Sequence, residues 1–148
     1  MKVLIGVDES AEADRAIEFV KKMTWPAGTR MIVASAVQVP MVAYSEAYVP
    51  ATVDVTGWLG ELTKIHRELA ATQAGKLTAA GFTVESRVLD GDPRVALLDE
   101  ALKEGVDLLV VGSHGRTGIG KLVMGSVASH IVTHAPCNVL VVRAKARA

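Results

Sequence analysis

The stretch DLLVVGSHGRTGIGKLVMGSVASHIVTHAPCNVLVVR, residues 107–143, decides the fold. It opens on the continuous apolar run DLLVVG, Asp107–Gly112. A glycine-rich segment follows, and then Val127, Ala128, Ile131 and Val132 recur at helical spacing before Pro136. NVLVVR, Asn138–Arg143, is a second continuous apolar run. Strands that alternate apolar and polar residues cover one face only. Strands that are apolar throughout are buried on both faces, as in parallel sheets. Two such runs joined through a helix read as a βαβ unit.

The same signals recur toward the N-terminus. KVLIGV (Lys2–Val7) and RMIVASAV (Arg30–Val37) are further buried runs. FTVESRV (Phe82–Val88) differs, because Phe82, Val84 and Val88 alternate with polar residues, which suits an edge strand. Ser10 can cap a helix that carries Ala13, Ala16, Ile17 and Val20, with Glu12 and Asp14 near its positive end. A second helix is predicted from about Trp58 to Ala80, with Leu62, Ile65, Leu69 and Leu77 inward and Gly81 as its stop. A third starts at Pro93 and presents Ala96, Leu97, Ala101 and Leu102. The order βαβαβαβαβ predicts one α/β domain over residues 1–148, a doubly wound, Rossmann-like parallel sheet of five strands with helices on both faces.

Bulk properties narrow the function. The chain has 148 residues, with 16 basic and 16 acidic side chains and a formal net charge of +0. That balance gives no electrostatic footprint for nucleic acid or an anionic membrane. Mean hydropathy is high, at +0.32. Even so, no apolar run approaches the roughly 20 residues of a spanning helix. Asp8 ends the first run before it reaches the length of a secretory core, and Cys137 is the single cysteine; both fit a cytoplasmic protein. Gln38–Gly57 is long for a loop in a compact domain, and Met41, Tyr44 and Tyr48 make it sticky; it reads as a lid, a partner surface or a packed loop.

Gly112–Ser126 has the composition of a phosphate cradle. It is not a Walker A loop: Gly115, Gly120 and Lys121 fit, but Leu122 stands where a hydroxyl must reach Mg²⁺. Nor is it a dinucleotide fingerprint, because Val123 occupies the third glycine position after Gly118 and Gly120. What remains is Gly112-x2-Gly115-x9-Gly125-Ser126. Glycines at 112 and 115 let the backbone approach a ligand and take positive φ cheaply. Gly125 and Ser126 offer N–H groups at a helix start, where anions are favoured, and the Ser126 hydroxyl can cap that helix or bond a phosphate oxygen. Arg116 adds a charge independent of pH.

This pattern resembles the nucleotide-binding signature of the universal stress protein family. VGVDES-like residues at the end of the first strand (IGVDES here), GDPRVALLDEA (Gly91–Ala101) and HAPCNVLVVR (His134–Arg143) carry the same resemblance over nearly the whole chain. The resemblance implies strand order 3-2-1-4-5 and an ATP site at the switch point between strands 1 and 4. It implies that Asp8 lies at the nucleoside and that the backbone of Ala36 meets adenine. Ser10, Gly112, Ser113, Gly115, Arg116, Gly125, Ser126 and Val127 complete the expected ligand-binding set. Asp8 can also be read as a carboxylate that caps the first helix. Mg²⁺, if present, is expected to come with the phosphates and not through a protein cage.

The resemblance points to an adenine-nucleotide-binding regulatory module with an unknown protein partner. Slow ATP hydrolysis on the same fold is the enzymatic alternative, and no residue stands out as its base. A phosphoacceptor receiver domain is the rival of another class, with Asp8, Glu9, Asp90, Ser113 and Lys145 as partial ingredients. It leaves the glycine loop unexplained and puts Lys145 beyond the last strand. A homodimer is expected through Val139, Leu140, Val141 and Val142, because an apolar edge strand without Pro or charge invites pairing. His130 and His134 share one helix face, but no Glu and no third ligand accompany them, so no metal site is assigned. His114 stands in the loop beside no nucleophile. Cys137 reads as packing, and Asp8–Asp14 fails as a calcium loop because Ala13 replaces the required glycine.

Overall fold

The computed structural model describes residues 1–39, 55–115 and 123–144, with Val55 described by its backbone alone. Five strands and four helices alternate: β1 (Lys2–Gly6), α1 (Ala11–Lys22), β2 (Arg30–Val37), α2 (Val55–Ala79), β3 (Thr83–Asp90), α3 (Pro93–Glu104), β4 (Leu108–Gly112), α4 (Ser126–His134) and β5 (Asn138–Val142). All strand pairs are parallel and the order is β3-β2-β1-β4-β5. The chain first winds from β1 through β2 to β3, then returns to β4 and β5. Right-handed crossovers therefore put α1 and α2 on one face and α3 and α4 on the other.

Each face has its own aliphatic core. Ala13, Ala16, Ile17 and Val20 of α1 and Ala74 and Leu77 of α2 pack on Val3, Ile5, Val33 and Val110. Leu97 and Ala101 of α3 and Ala128 and Ile131 of α4 pack on Leu4, Ala34, Leu109 and Val111. The strand residues alternate between the two cores, so a continuous apolar run buries every side chain.

Local chemistry sets the helix ends. The Ser10 hydroxyl accepts from the Ala13 amide at 3.2 Å and caps α1. Asp92 caps α3 by accepting from the Arg94 amide at 2.8 Å, and Pro93 supplies its fixed φ at the first helical position. Gly105 ends α3 in the left-handed region, at φ 60°. The Gly81 amide donates to the Thr78 carbonyl at 2.9 Å and the Phe82 amide to Leu77 at 3.2 Å, which closes α2.

Several helical side chains expected inside lie outside. Ile65, Leu102 and Val132 are 46%, 71% and 50% exposed. Successive helix residues are turned by about 100°, so a neighbour of a buried residue need not be buried. Leu102 follows Ala101 and Val132 follows Ile131, each rotated off the stripe. The β5 run, expected to be buried on both faces, is half-buried through Val139, Leu140 and Val141, because β5 is an edge strand. β3 is the other edge, as its alternation predicts. Met41, Tyr44 and Tyr48 of the 38–57 loop lie outside the described residues, and the last residues of that segment, from Val55, belong to α2. Among the described residues, no helix is long and apolar enough to cross a membrane.

Candidate functional site

β1 ends at Gly6, and the Val7 amide still bonds the Ala34 carbonyl of β2 at 2.9 Å. The chain then turns into α1 through Asp8, Glu9 and Ser10. Asp8 does not cap the helix. Its Oδ1 accepts from the Ser10 amide at 3.0 Å and, by a short bond, from the Ser10 hydroxyl. Ser10 in turn caps α1, so Asp8 fixes the residue that fixes the helix. The other carboxylate oxygen of Asp8 lies against Gly115: a Cβ there would come within 2.8 Å of it.

Beyond β4 the chain stays tied down. The Ser113 amide donates to the Val142 carbonyl at 2.9 Å, and the Ser113 carbonyl accepts from the Gly125 amide at 2.8 Å. His114 joins the two ends of the loop: Nδ1 lies 3.0 Å from the Ser113 hydroxyl and Nε2 makes a short bond to the Val123 carbonyl. A carbonyl only accepts, so Nε2 carries the proton and, in the neutral ring, Nδ1 accepts from Ser113. His114 thus spends both nitrogens on the loop itself.

The loop glycines do not serve the left-handed backbone that glycine permits. None of Gly112, Gly115 and Gly125 has positive φ. Instead, each has a neighbour where a side chain would go. A Cβ on Gly112 would meet Glu12 Cβ at 2.8 Å and the Glu12 backbone at 2.9 Å, because α1 passes close over β4. A Cβ on Gly125 would meet the Ser113 carbonyl oxygen and His114 Cα, each at 3.2 Å. Gly125 is the N-cap of α4, with no side-chain cap bond, and Ser126 is the first helical residue. The Ser126 hydroxyl therefore does not cap, and the first-turn N–H groups of α4 face the cleft without a capping side chain.

Between these turns a cavity of about 290 Å³ opens at the carboxyl ends of β2, β1 and β4. It spans three strands, roughly 10 Å across at ordinary strand spacing. Ala34, Ala36, Gln38, Leu62 and His66 line the β2 end. Asp8, Glu9 and Ser10 line the middle, and Gly112, Gly115, Gly125, Ser126 and Val127 the β4 end. Leu97 and Val111 give it an apolar floor. The β2 end thus combines the carbon side chains of Ala34, Ala36 and Leu62 with the polar Gln38 and His66, and the β4 end is walled by backbone amides and a helix start, a division that suits a ligand with a flat, mostly apolar part and an anionic part.

Of the residues expected at the site, Asp8, Ser10, Ala36, Gly112, Gly115, Gly125, Ser126 and Val127 line this one cavity. Ser113 does not: it is buried at 2% exposure and builds the loop from beneath. Arg116 lies outside the described residues. His66, Leu62, Gln38 and Leu97 line the cavity although no motif marks them. His66 was legible in one respect, since it falls on the same helical stripe as Leu62, Leu69 and Gln73. An imidazole in such a stripe asks for a partner, and the Ser35 hydroxyl is 2.8 Å from its Nδ1.

Other polar groups have local explanations. The rings of His130 and His134 stack at 4.2 Å, and His134 Nδ1 donates to the His130 carbonyl at 2.9 Å. Among the described residues, no three His, Cys, Asp or Glu side chains gather as a metal site would need. Burial pushes the Cys137 thiol pKa up.

Residues 1–143 match the model of the universal stress protein family. A putative universal stress protein of Staphylococcus haemolyticus is 32% identical over 144 residues, 95% of this chain and 83% of that one. A universal stress protein of Thermus aquaticus is 31% identical, over 95% and 97% of the two chains. Among solved structures, protein MJ0577 of Methanocaldococcus jannaschii superposes with a TM-score of 0.77 at 26% identity, over 99% and 97%. A universal stress protein family protein of Arabidopsis thaliana, solved with AMP bound, shares the fold at 20% identity, a TM-score of 0.66 and 99% and 93% coverage. The Archaeoglobus fulgidus protein in complex with dAMP does so at 19% identity, 0.64, and 95% and 96%.

Proposed function

The chain belongs to the universal stress protein family, and from that premise we propose that its cavity binds an adenine nucleotide, ATP in the first instance, as a binding module in the cytoplasm. The observation that carries this reading is the meeting of Asp8, Ala36, Gly115 and Gly125 in one cavity, from segments far apart in sequence. Related proteins solved with AMP and dAMP support an adenine nucleotide as the ligand class.

The residues present fit such a group. The base would lie at the β2 end, against the backbone of Ala36 and the side chains of Ala34 and Leu62. The ribose would meet Asp8, whose Oδ1 is already held by Ser10. The phosphates would sit at the β4 end, where Gly115 and Gly125 are bare of side chains and the uncapped start of α4 favours anions. Arg116 would add fixed positive charge to that end. Any Mg²⁺ would ride on the phosphates and keep most of its waters, with Asp8 as the candidate carboxylate for contact, directly or through water. His114, the imidazole of the loop, already gives both nitrogens to the loop itself and is not free to act as a general base. Binding, and the choice of protein partner that binding would govern, is the activity this geometry supports.

The test is mass spectrometry of small molecules that co-purify with the protein, followed by calorimetric titration of ATP, AMP and adenosine into protein stripped of ligand. Binding of all three, with the phosphorylated forms tighter, is the expected result. Failure of all three to bind would overturn the assignment.

A further inference from the structure

His114 stands at the β4 end of the cavity, between two glycines of the signature, at a position that the signature leaves open. Its ring ties the two ends of the loop together. Nε2 donates to the Val123 carbonyl by a short bond, and Nδ1 lies 3.0 Å from the Ser113 hydroxyl. The carbonyl has no proton to give, so Nε2 is the donor. Ser113 is 2% exposed, and its amide donates to the Val142 carbonyl of β5 at 2.9 Å. The ring is therefore anchored on the sheet at one end and reaches across the loop with the other.

The far end of the loop has few other holds. Val123 is 70% exposed, so packing does not pin its side chain. Met124 leans on the core, but with a half-buried, unbranched side chain. Gly125, the N-cap of α4, has no side chain with which to make a capping bond. Its amide donates to the Ser113 carbonyl at 2.8 Å. One such bond leaves the chain free to pivot about it. The bond from His114 to Val123, two residues earlier, removes that pivot and sets the direction in which the chain enters α4.

We infer that His114 is a positioning residue for the ligand's phosphates, acting through its Nε2 bond to Val123. This rests on the reading that the cavity binds an adenine nucleotide with its phosphates at the β4 end. Gly115 follows His114 directly, and Gly125 follows Val123 by two residues, so one ring fixes the backbone on both sides of the phosphate position. Amides that are already aimed bind an anion better than amides that must be ordered as it arrives. The bond spans nine positions of chain, and closing such a loop has an entropy cost. The ring moves that cost from binding to folding. It needs neither a charge nor a contact with phosphate to do so. The β2 end of the cavity, built from Ala34, Ala36, Leu62 and their neighbours, does not depend on this bond.

The experiment titrates ATP and adenosine into the full chain stripped of ligand and into His114→Ala, His114→Gln and His114→Asn, with circular dichroism as the folding control. His114→Ala should weaken ATP about two- to tenfold, the worth of one hydrogen bond, and leave adenosine within twofold. The ATP-to-adenosine preference should fall by the same factor. His114→Gln should restore most of it, because a glutamine amide N–H can take the place of Nε2–H. His114→Asn, whose amide lies nearer the Nδ1 position, should not. A folded His114→Ala protein with the wild-type preference would overturn the inference, even if both affinities had dropped together, because general loosening of the fold does not single out phosphate. A preference that falls in His114→Ala and stays low in His114→Gln would also overturn it, since the ring would then act otherwise than through Val123. If His114→Ala does not fold, the comparison of His114→Gln with His114→Asn carries the same test. Wild-type protein that binds neither ligand would overturn the site assignment and this inference together. Wild-type binding with an unmoved preference in the variants overturns this inference alone.

Discussion

Asp8 Oδ2 stands 2.8 Å from the point a Cβ on Gly115 would occupy. The turn after β1 and the turn after β4 therefore touch across the mouth of the cavity, through one carboxylate and one missing side chain. The obstructing atom is the end of a side chain, which can turn away at the cost of its bonds to Ser10 and without moving the backbone. Gly115→Ala should change stability by less than about 1 kcal/mol. It should still weaken nucleotide binding about tenfold, because Asp8 can yield only by leaving Ser10 or by entering the ligand's space. Thermal unfolding and ATP titration on the same preparation check both halves. An unaltered affinity would show that Asp8 and Gly115 do not frame the ligand.

Gly112→Ala should behave in the opposite way. Its Cβ would strike the backbone of Glu12, carbon at 2.9 Å and oxygen at 3.0 Å, and a helix cannot swing aside. α1 would have to lift from β4, at a cost of about 1–3 kcal/mol typical of overpacking. The melting temperature should fall by roughly 3–10 °C. A melting temperature equal to wild type would mean α1 sits less tightly on β4 than the distances say. The two glycine variants together separate the loop's binding role from its packing role.

The sequence was most legible where one physical demand controlled each residue. A strand between two helical layers must be apolar throughout, so Leu4, Ile5, Leu109 and Val110 declare β1 and β4. Ser10, Pro93 and Gly81 declare helix ends because unpaired amides and carbonyls need partners. Legibility failed where two demands produce one residue type. Gly112 reads as a point of close approach to a ligand, and the packing of α1 over β4 puts a second demand on it, room for Glu12. Leu102 and Ile65 look like core, yet a turn of about 100° puts them outside. The stripe of α2 places His66 toward the sheet but not beside Ser35, thirty-one positions away in sequence and brought near by the packing of α2 on β2.

Acid should destabilise the fold through Glu104. Its side chain accepts from Arg87 at 2.6 Å and from Lys2 at 3.1 Å. These bonds, that of Arg87 first, hold its carboxyl at about 2 in place of the ordinary 4.5. A carboxyl lowered in the folded state stabilises above its unfolded value and loses that contribution as pH falls through the folded one. The window is therefore from about pH 4.5 down to about 2. Glu85 is lowered as well, by Arg87 and then Arg30, and adds to the same trend. Urea unfolding across that range should show a falling midpoint, and Glu104→Gln should flatten it. A profile unchanged in Glu104→Gln would remove Glu104 as the cause.

β5 predicts self-association. It is an edge strand with no Pro and no charge between Val139 and Val142, and among the described residues it pairs with β4 alone. Edges of this kind find partners, and a two-fold partner is the commonest. The protein should sediment as a dimer at micromolar concentration and dissociate on dilution. Val139 and Val141 also lean on the core beneath α4, so Val141→Lys probes packing and interface together. The wild-type dilution series is the cleaner measurement, and a monomer throughout would sink the idea.

The last prediction divides the cavity along its length. If the base lies toward β2 and the phosphates toward β4, then variants along that line should separate adenosine from ATP. Asp8→Ala stands in the middle, and should weaken both ligands alike, because the ribose is common to them. Arg116→Ala should weaken ATP and spare adenosine, since a guanidinium serves phosphates through charge-assisted bonds. Its effect should shrink as salt is added, as exposed charge pairs are screened over about 10 Å at 0.1 M. Ser126→Ala should also act on ATP alone, and more mildly. The first-turn amides of α4 remain when the hydroxyl goes, and one hydroxyl bond is worth about 0.5–1.5 kcal/mol. Calorimetric titration of both ligands against the three variants reads the pattern directly. If Arg116→Ala and Ser126→Ala weakened adenosine as much as ATP, the ligand would lie the other way round in the cavity, or not reach the start of α4 at all.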